Sequence, residues 1–91
     1  MKYMNEENKL KTIKQLKRIE GQIRGLQKMI EDDTYCIDII TQTSAVKNSL
    51  SSVEDLLMEN HLCHCVQHQM TTGQVDKAKN EVLKVFKLKR K

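Results

Sequence analysis

The residues best suited to chemistry in this chain lie in one short stretch, ENHLCHCVQH, at positions 59–68. It holds all three histidines and two of the three cysteines of the 91-residue chain. Thiolate and imidazole groups bind soft metal ions, and thiolates also react with oxidants and sulfur species. The stretch therefore predicts a metal site, with a responsive thiol pair or ordinary packed residues as the alternatives.

Helical spacing divides this stretch into two faces. On an α-helix His61 and Cys65 lie four residues apart, ~40° around the axis, so both side chains can reach one ion. Cys63 lies two residues from either of them and points ~200° away, which predicts a partly exposed bystander. His64 and His68 stay open as further ligands.

The remaining cysteine, Cys36, lies far from this face along the sequence. It precedes Cys65 by 29 residues, and on one helix that is ~43 Å, too far for one chain to bring both thiols to one ion. A second, antiparallel subunit would place its Cys36 beside His61 and Cys65 of the first. Two thiolates and one imidazole suit three-coordinate Cu(I), whereas Zn(II) would need a fourth ligand from His64, His68 or water.

Helical periodicity runs along nearly the whole chain, which has no proline and only three glycines. The apolar spacing predicts an all-α fold with three helices, at about 5–31, 35–71 and 74–88, in a single domain over residues 1–91. An aspartate or Thr34 is expected to cap the start of the second helix, and Gly73 its end.

The apolar stripes and the length of the second helix predict the assembly. A helix of ~37 residues is ~55 Å long, which exceeds the diameter of a compact chain of this size. The first helix can therefore cover only part of it. We therefore expect an antiparallel four-helix bundle formed by a homodimer, and beyond it a dimer of dimers. The residues expected on the buried sides of the first two helices are Leu16, Ile19, Ile23, Leu26, Ile30, Ile39, Val46, Leu50, Val53 and Leu57.

Charge is distributed unevenly along the chain. Residues 9–28 carry seven basic side chains against one acid, and residues 29–76 carry one basic side chain against eight acids. A basic helix face is typical of proteins that bind a polyanion, and without an aromatic platform it favours double-stranded DNA. A solvated lysine-rich face is the alternative. The candidate DNA-binding residues are Lys14, Lys17, Arg18, Arg24 and Lys28.

Composition excludes several classes of function. The odd cysteine count and the lack of a long apolar run argue against a disulfide-rich secreted protein and against a membrane protein, and predict a cytoplasmic location. No acid, base and nucleophile constellation is present apart from the thiols, so no enzymatic activity is expected.

Two segments resemble the copper-sensing repressor family known as CsoR/RcnR. They are LKRIEGQIRGLQKMIEDDTYCIDIITQTSAV at 16–46 and HLCHCV at 61–66. The resemblance implies an all-α dimer or tetramer that binds operator DNA when metal-free and is released by its inducer. The copper branch of the family has Cys, His and Cys where this chain has Cys36, His61 and Cys65, and its outer tyrosine and glutamate correspond to Tyr35 and Glu81.

Other branches of the family match less well. The nickel and cobalt branch has a histidine in place of Cys65, the persulfide branch lacks His61, and the formaldehyde branch lacks the second cysteine. Departures from the family also occur at Gln15, where members commonly carry arginine, and at Ser52, where some members carry a basic residue. These leave the details of DNA contact open. The sequence thus predicts a Cu(I)-responsive repressor. A sensor of Zn(II), Ni(II) or reactive sulfur, and a copper-buffering protein without a DNA role, remain alternatives.

Overall fold

The computed structural model describes residues 4–89, and helices account for nearly all of them. Helix α1 spans Glu6–Glu31, α2 spans Cys36–Asn60, a π-helical segment spans His61–Val66, α3 spans Gln67–Thr71 and α4 spans Val75–Lys89. There is no strand within residues 4–89. Helix α2, the π-helical segment and α3 follow one another without a break and form one continuous rod, called the central rod here. The prediction of an all-α chain with three helical stretches is therefore confirmed.

The turn between α1 and α2 is closed by Asp33, which adopts the left-handed conformation with φ of 56°. The Thr34 N–H donates to the Met29 carbonyl at 2.9 Å, and the Asp33 N–H donates to Ile30 at 3.2 Å. These two bonds form a Schellman motif at the end of α1, in which aspartate takes the place usually held by glycine. The expectation that an aspartate or Thr34 caps α2 was wrong, because Tyr35 occupies the N-cap without a side-chain bond.

Two other helix ends follow the sequence closely. The Asn5 side chain accepts a hydrogen bond from the Asn8 N–H at 2.7 Å and begins α1. At the end of α3, Gly73 has φ of 82°, and the Gln74 N–H donates to the Gln69 carbonyl at 2.6 Å. Because this conformation strains residues with a Cβ, glycine lets the chain reverse sharply here, as predicted.

The core of one chain lies between α1 and α2, which pack as an antiparallel hairpin. It consists of Ile19, Val46 and Val53, each 4–5% exposed, with Leu26 packed against them. Many apolar residues that were expected to be buried are uncovered in the single chain, and Leu50, for example, is 41% exposed. The buried stripes predicted from the sequence are therefore only partly covered within one chain.

Helix α4 folds back along the end of α2. Near its C-terminus, the Lys89 ammonium lies 2.7 Å from a carboxylate oxygen of Asp55 and 3.4 Å from the Ser51 hydroxyl. The hydrogen bond to Asp55 raises the pKa of Lys89, although partial burial opposes this. The contact holds the far end of α4 against the central rod.

The shape of the chain is elongated. Its extents are 56 × 30 × 13 Å, and the longest dimension matches the length of the central rod, ~54 Å. The radius of gyration is 17.3 Å, whereas a compact chain of this length would have ~12 Å. No helix within residues 4–89 combines the length and hydropathy that a membrane span requires.

Candidate metal centre

A groove between α4 and the C-terminal half of the central rod contains two of the predicted metal ligands. The groove has a volume of about 610 Å³ and opens to solvent, and His61 and Cys65 line one wall of it. Glu81 and Lys84 from α4 line the opposite wall, and Leu57 is among its apolar lining residues. The groove thus brings an imidazole and a thiol together, with a carboxylate from another helix.

The π-helical segment sets the direction of these side chains. Cys65 is buried at 7% exposure, His61 is half-buried, and Cys63 is exposed. In a π-helix the hydrogen bonds run from residue i to i+5, so the turn is wider than in an α-helix, and such segments occur frequently at functional sites. Residues four apart therefore come closer to alignment than the α-helical spacing predicts. The division of the stretch into an inward pair and an outward Cys63 agrees with this geometry.

The other two histidines point away from the groove lining. His64 and His68 are both exposed, and neither contributes to the groove walls. Their role as additional ligands stays a prediction that this geometry does not favour.

Cys36 lies at the opposite end of the central rod. It is the first residue of α2, it is exposed, and the adjoining Tyr35 is 70% exposed. The distance from Cys36 to Cys65 along the helix axis is ~43 Å. Within residues 4–89 no three histidine, cysteine, aspartate or glutamate side chains lie close enough to hold an ion. One chain therefore supplies two separate parts of the predicted site, with Cys36 and Tyr35 at one end and His61, Cys65 and Glu81 at the other.

Sequence reasoning missed Gln69, which contacts the predicted outer residue Glu81. The side chain of Gln69 is only 8% exposed, and its Nε2 donates to Oε1 of Glu81 at 2.8 Å. Gln69 follows Cys65 by four residues, so both lie on the inward face. That spacing was the available signal, because a polar residue one turn beyond a ligand on its face is well placed to contact the surroundings of the site.

The basic face of α1 is exposed, as the sequence predicted. The side chains of Lys14, Lys17, Arg18, Arg24 and Lys28 all lie at the surface. Arg24 lies 3.5 Å from Glu20, and Lys28 lies 3.6 Å from Asp32. Such exposed pairs are weak and leave these charges available to a polyanion. Gln15 is half-buried, and Ser52 is exposed with its hydroxyl donating to the Asn48 carbonyl.

Comparison with known proteins places this geometry in a family. The family described as metal-sensitive transcriptional repressors matches residues 8–88, which include both parts of the candidate site and the basic face of α1. The chain belongs to this family. Relatives within it carry names that specify the metal they sense.

Two members of the metal-sensitive repressor family are close in sequence. The copper-sensing transcriptional repressor CsoR of Bacillus subtilis is 49% identical over 72 residues, which cover 79% of this chain and 71% of that protein. The copper-sensing transcriptional repressor RicR of Mycobacterium tuberculosis is 52% identical over 60 residues, which cover 66% of this chain and 62% of that protein.

A solved structure from the family shares the whole fold. The crystal structure of the copper-sensing repressor CsoR with Cu(I) from Geobacillus thermodenitrificans matches with a TM-score of 0.91 at 42% identity. The match covers 100% of this chain and 95% of that chain. The arrangement of α1, the central rod and α4 is therefore that of a repressor solved with Cu(I).

Proposed function

We propose that this protein is a Cu(I)-responsive transcriptional repressor that binds operator DNA when metal-free and leaves it when Cu(I) binds. The observation that carries the proposal is the groove shared by His61 and Cys65, in a chain whose fold matches a repressor solved with Cu(I). In this role the protein is a regulator and not an enzyme.

The proposed metal site is completed by a second subunit. Cys36 of one chain would lie beside His61 and Cys65 of an antiparallel partner, which gives two sites in each homodimer. The uncovered apolar surface supports this assembly, because Ile40 is 60% exposed and Ile37 is 55% exposed near the Cys36 end of the rod. Large apolar side chains left exposed at neighbouring positions of one helix are typical of an association surface. A dimer of dimers would cover further surface.

The donor atoms fit Cu(I). Thiolates are soft ligands, and two of them with one imidazole satisfy a three-coordinate ion, whereas Zn(II) would require a fourth donor. The exposure of His64 and His68 does not favour either as that donor. Cu(I) would supply a strong bond between the two subunits, held by Cys36, His61 and Cys65.

The outer residues would link the ligands to α4. A metal-binding histidine commonly donates its second ring N–H to a carboxylate, which fixes the ring and transmits its position. Glu81 lines the same groove as His61 and is therefore placed for this role. Tyr35, next to Cys36, would come from the second subunit and lie near the same contact.

The basic face of α1 is the proposed DNA-binding surface. Lysine and arginine side chains contact phosphates regardless of sequence, so binding would weaken steeply with salt concentration. Sequence preference would then rest partly on the shape of the duplex. The residues proposed for these contacts are Lys14, Lys17, Arg18, Arg24 and Lys28.

A DNA-binding titration tests the proposal. A fluorescent duplex that carries the protein's own promoter region is titrated with metal-free protein at moderate salt, and Cu(I) is then added without oxygen. We expect tight binding that Cu(I) weakens, by the factor of about 5 to 150 that is usual for allosteric coupling. A protein that binds Cu(I) but not the duplex would instead be a copper buffer. Release by Zn(II), Ni(II) or a persulfide but not by Cu(I) would identify a different inducer.

A further inference from the structure

Glu81 is held by a partner that the proposed copper response does not use. Its Oε1 accepts a hydrogen bond from Gln69 Nε2 at 2.8 Å. Within residues 4–89 no hydrogen bond joins Glu81 to His61, although both line the groove. The carboxylate is thus bound to α3, and among residues 4–89 it makes no hydrogen bond to the candidate ligand His61.

The burial of Gln69 has a cost that calls for an explanation. Its side-chain carbonyl oxygen, Oε1, is buried and has no hydrogen-bond partner among residues 4–89. An ionised carboxylate can only accept, so the amide NH₂ must face Glu81 and the carbonyl oxygen must face away. A buried acceptor without a partner destabilises a fold, and such exceptions in native proteins often serve function. The bond to Glu81 is the one side-chain hydrogen bond of Gln69 within residues 4–89.

A contact of Glu81 with His61 would pull α4 in the opposite direction along the rod from its observed contact with Gln69. The two residues are separated by eight positions, ~12 Å along the helix axis, and lie on either side of Cys65. Lys89 holds the far end of α4 to the rod through its hydrogen bonds with Ser51 and Asp55. A carboxylate that changes partner would therefore move the near end of α4.

We propose that Gln69 is the resting partner of Glu81, a positioning residue that holds α4 in the metal-free arrangement and competes with His61 for the carboxylate. This inference rests on the proposed function, since it assigns the contact that copper binding must break. Loss of the Gln69 contact destabilises the resting state alone, so less Cu(I) is needed to reach the released state.

The unmodified protein provides the first test. In ¹⁵N-labelled protein the Gln69 side-chain amide should resonate away from free glutamine amides and exchange slowly, because it is buried and bonded to a carboxylate. Addition of Cu(I) should move this signal toward the free-amide position and speed its exchange. If Cu(I) binds and leaves the Gln69 signal unchanged, the proposal is wrong. A Gln69→Met sample identifies the signal by its disappearance.

A variant provides the second test. Gln69→Met keeps the length of the side chain and removes the amide, and Gln67→Met on the same helix is the matched control at an exposed position. We expect the free Cu(I) concentration for half-release of DNA to fall about threefold to tenfold in Gln69→Met, since a hydrogen bond to a charged group is among the stronger ones. Gln67→Met should match the wild type.

The outcomes separate this proposal from the function on which it rests. An unchanged or higher Cu(I) requirement in Gln69→Met, with normal release in the wild type, overturns the role of Gln69 and leaves the repressor function intact. A wild-type protein that never binds the duplex, or never leaves it on Cu(I) addition, refutes the function itself. The amide signal then still decides whether Cu(I) breaks the Gln69 contact.

Discussion

The division of the metal site between two subunits can be tested by mixing two defective chains. Cys36→Ala and Cys65→Ala each remove one thiolate, and a homodimer of either variant has no complete site. In a heterodimer, the Cys65→Ala chain supplies Cys36, and the Cys36→Ala chain supplies His61 and Cys65. One complete site of the two should therefore return.

The structure sets the size of this effect. The ~43 Å between Cys36 and Cys65 along the rod prevents one chain from completing a site alone. Isologous symmetry gives two equivalent sites in the wild-type dimer, and random pairing of equal amounts of the two variants makes about half of the dimers heterodimers. About a quarter of the wild-type sites should therefore be restored.

The assay uses chains that carry different affinity tags. The variants are co-expressed, the heterodimer is isolated through both tags, and Cu(I) is titrated against a competing chelator without oxygen. We expect one tightly bound Cu(I) for each heterodimer and none for either homodimer. Cys63→Ala, which removes an exposed thiol, is the control and should bind two. A heterodimer that binds Cu(I) no better than the homodimers, or a Cys36→Ala homodimer with two tight sites, would refute an intersubunit site.

The remaining predictions concern DNA contact, signal transmission and stability. Arg18→Ala should weaken DNA binding at all sequences and reduce the slope of log affinity against log salt by about 1, and an unchanged slope would remove Arg18 from the interface. Glu81→Gln should keep Cu(I) binding but lose much of the Cu(I)-induced release; full release would show that Glu81 does not transmit the signal. Ile19→Ala should lower the free energy of unfolding, measured by urea titration, by about 2 to 3 kcal/mol. This is the low end for a buried isoleucine, because the small core can collapse around the cavity. A change below about 1 kcal/mol would contradict the assignment of Ile19 to the core. Lys89 has a raised pKa, so its ion pair with Asp55 stabilises the fold fully at a pH just below 10.5 and is lost as the pH rises through the pKa of the folded protein. The difference in unfolding free energy between Lys89→Met and wild type should therefore fade above pH 10.5. A difference that persists at that high pH would disprove the contribution of the pair.

Much of the fold follows from local patterns in the sequence. Apolar periodicity and the absence of proline predict the helices, and Gly73 marks the turn before α4 because the left-handed conformation there favours glycine. The turn at Asp33 was harder to predict from the sequence, since an aspartate before a helix also suits an N-cap. The local backbone hydrogen bonds of the Schellman motif at the end of α1 decide between these two roles.

The candidate site was predictable only in part. Helical spacing separates His61 and Cys65 from Cys63, because that argument needs only the angle between neighbours. The π-helical segment was not predictable, since nothing in HLCHCV distinguishes i→i+5 from i→i+4 hydrogen bonding by composition. Gln69 was also missed, because its contact with Glu81 depends on the return of α4 after the turn at Gly73, which local spacing does not specify.

The proposed dimer also explains why some apolar residues are exposed in the single chain. Leu50 and Leu57 belong to the predicted buried stripe of α2 but are 41% and 44% exposed in the single chain. Sequence periodicity reports the faces that are buried in the functional assembly, whether the cover comes from the same chain or from another. The mismatch between predicted and observed burial therefore agrees with the proposed dimer.

X-ray absorption at the copper edge of the Cu(I)-loaded protein tests the central claim most directly. The account predicts a three-coordinate ion with two sulfur ligands and one nitrogen ligand, from Cys36, His61 and Cys65. His61→Ala should remove the nitrogen contribution, and Cys63→Ala should leave the spectrum unchanged. A four-coordinate site, or a wild-type spectrum with a single sulfur ligand, would contradict the account.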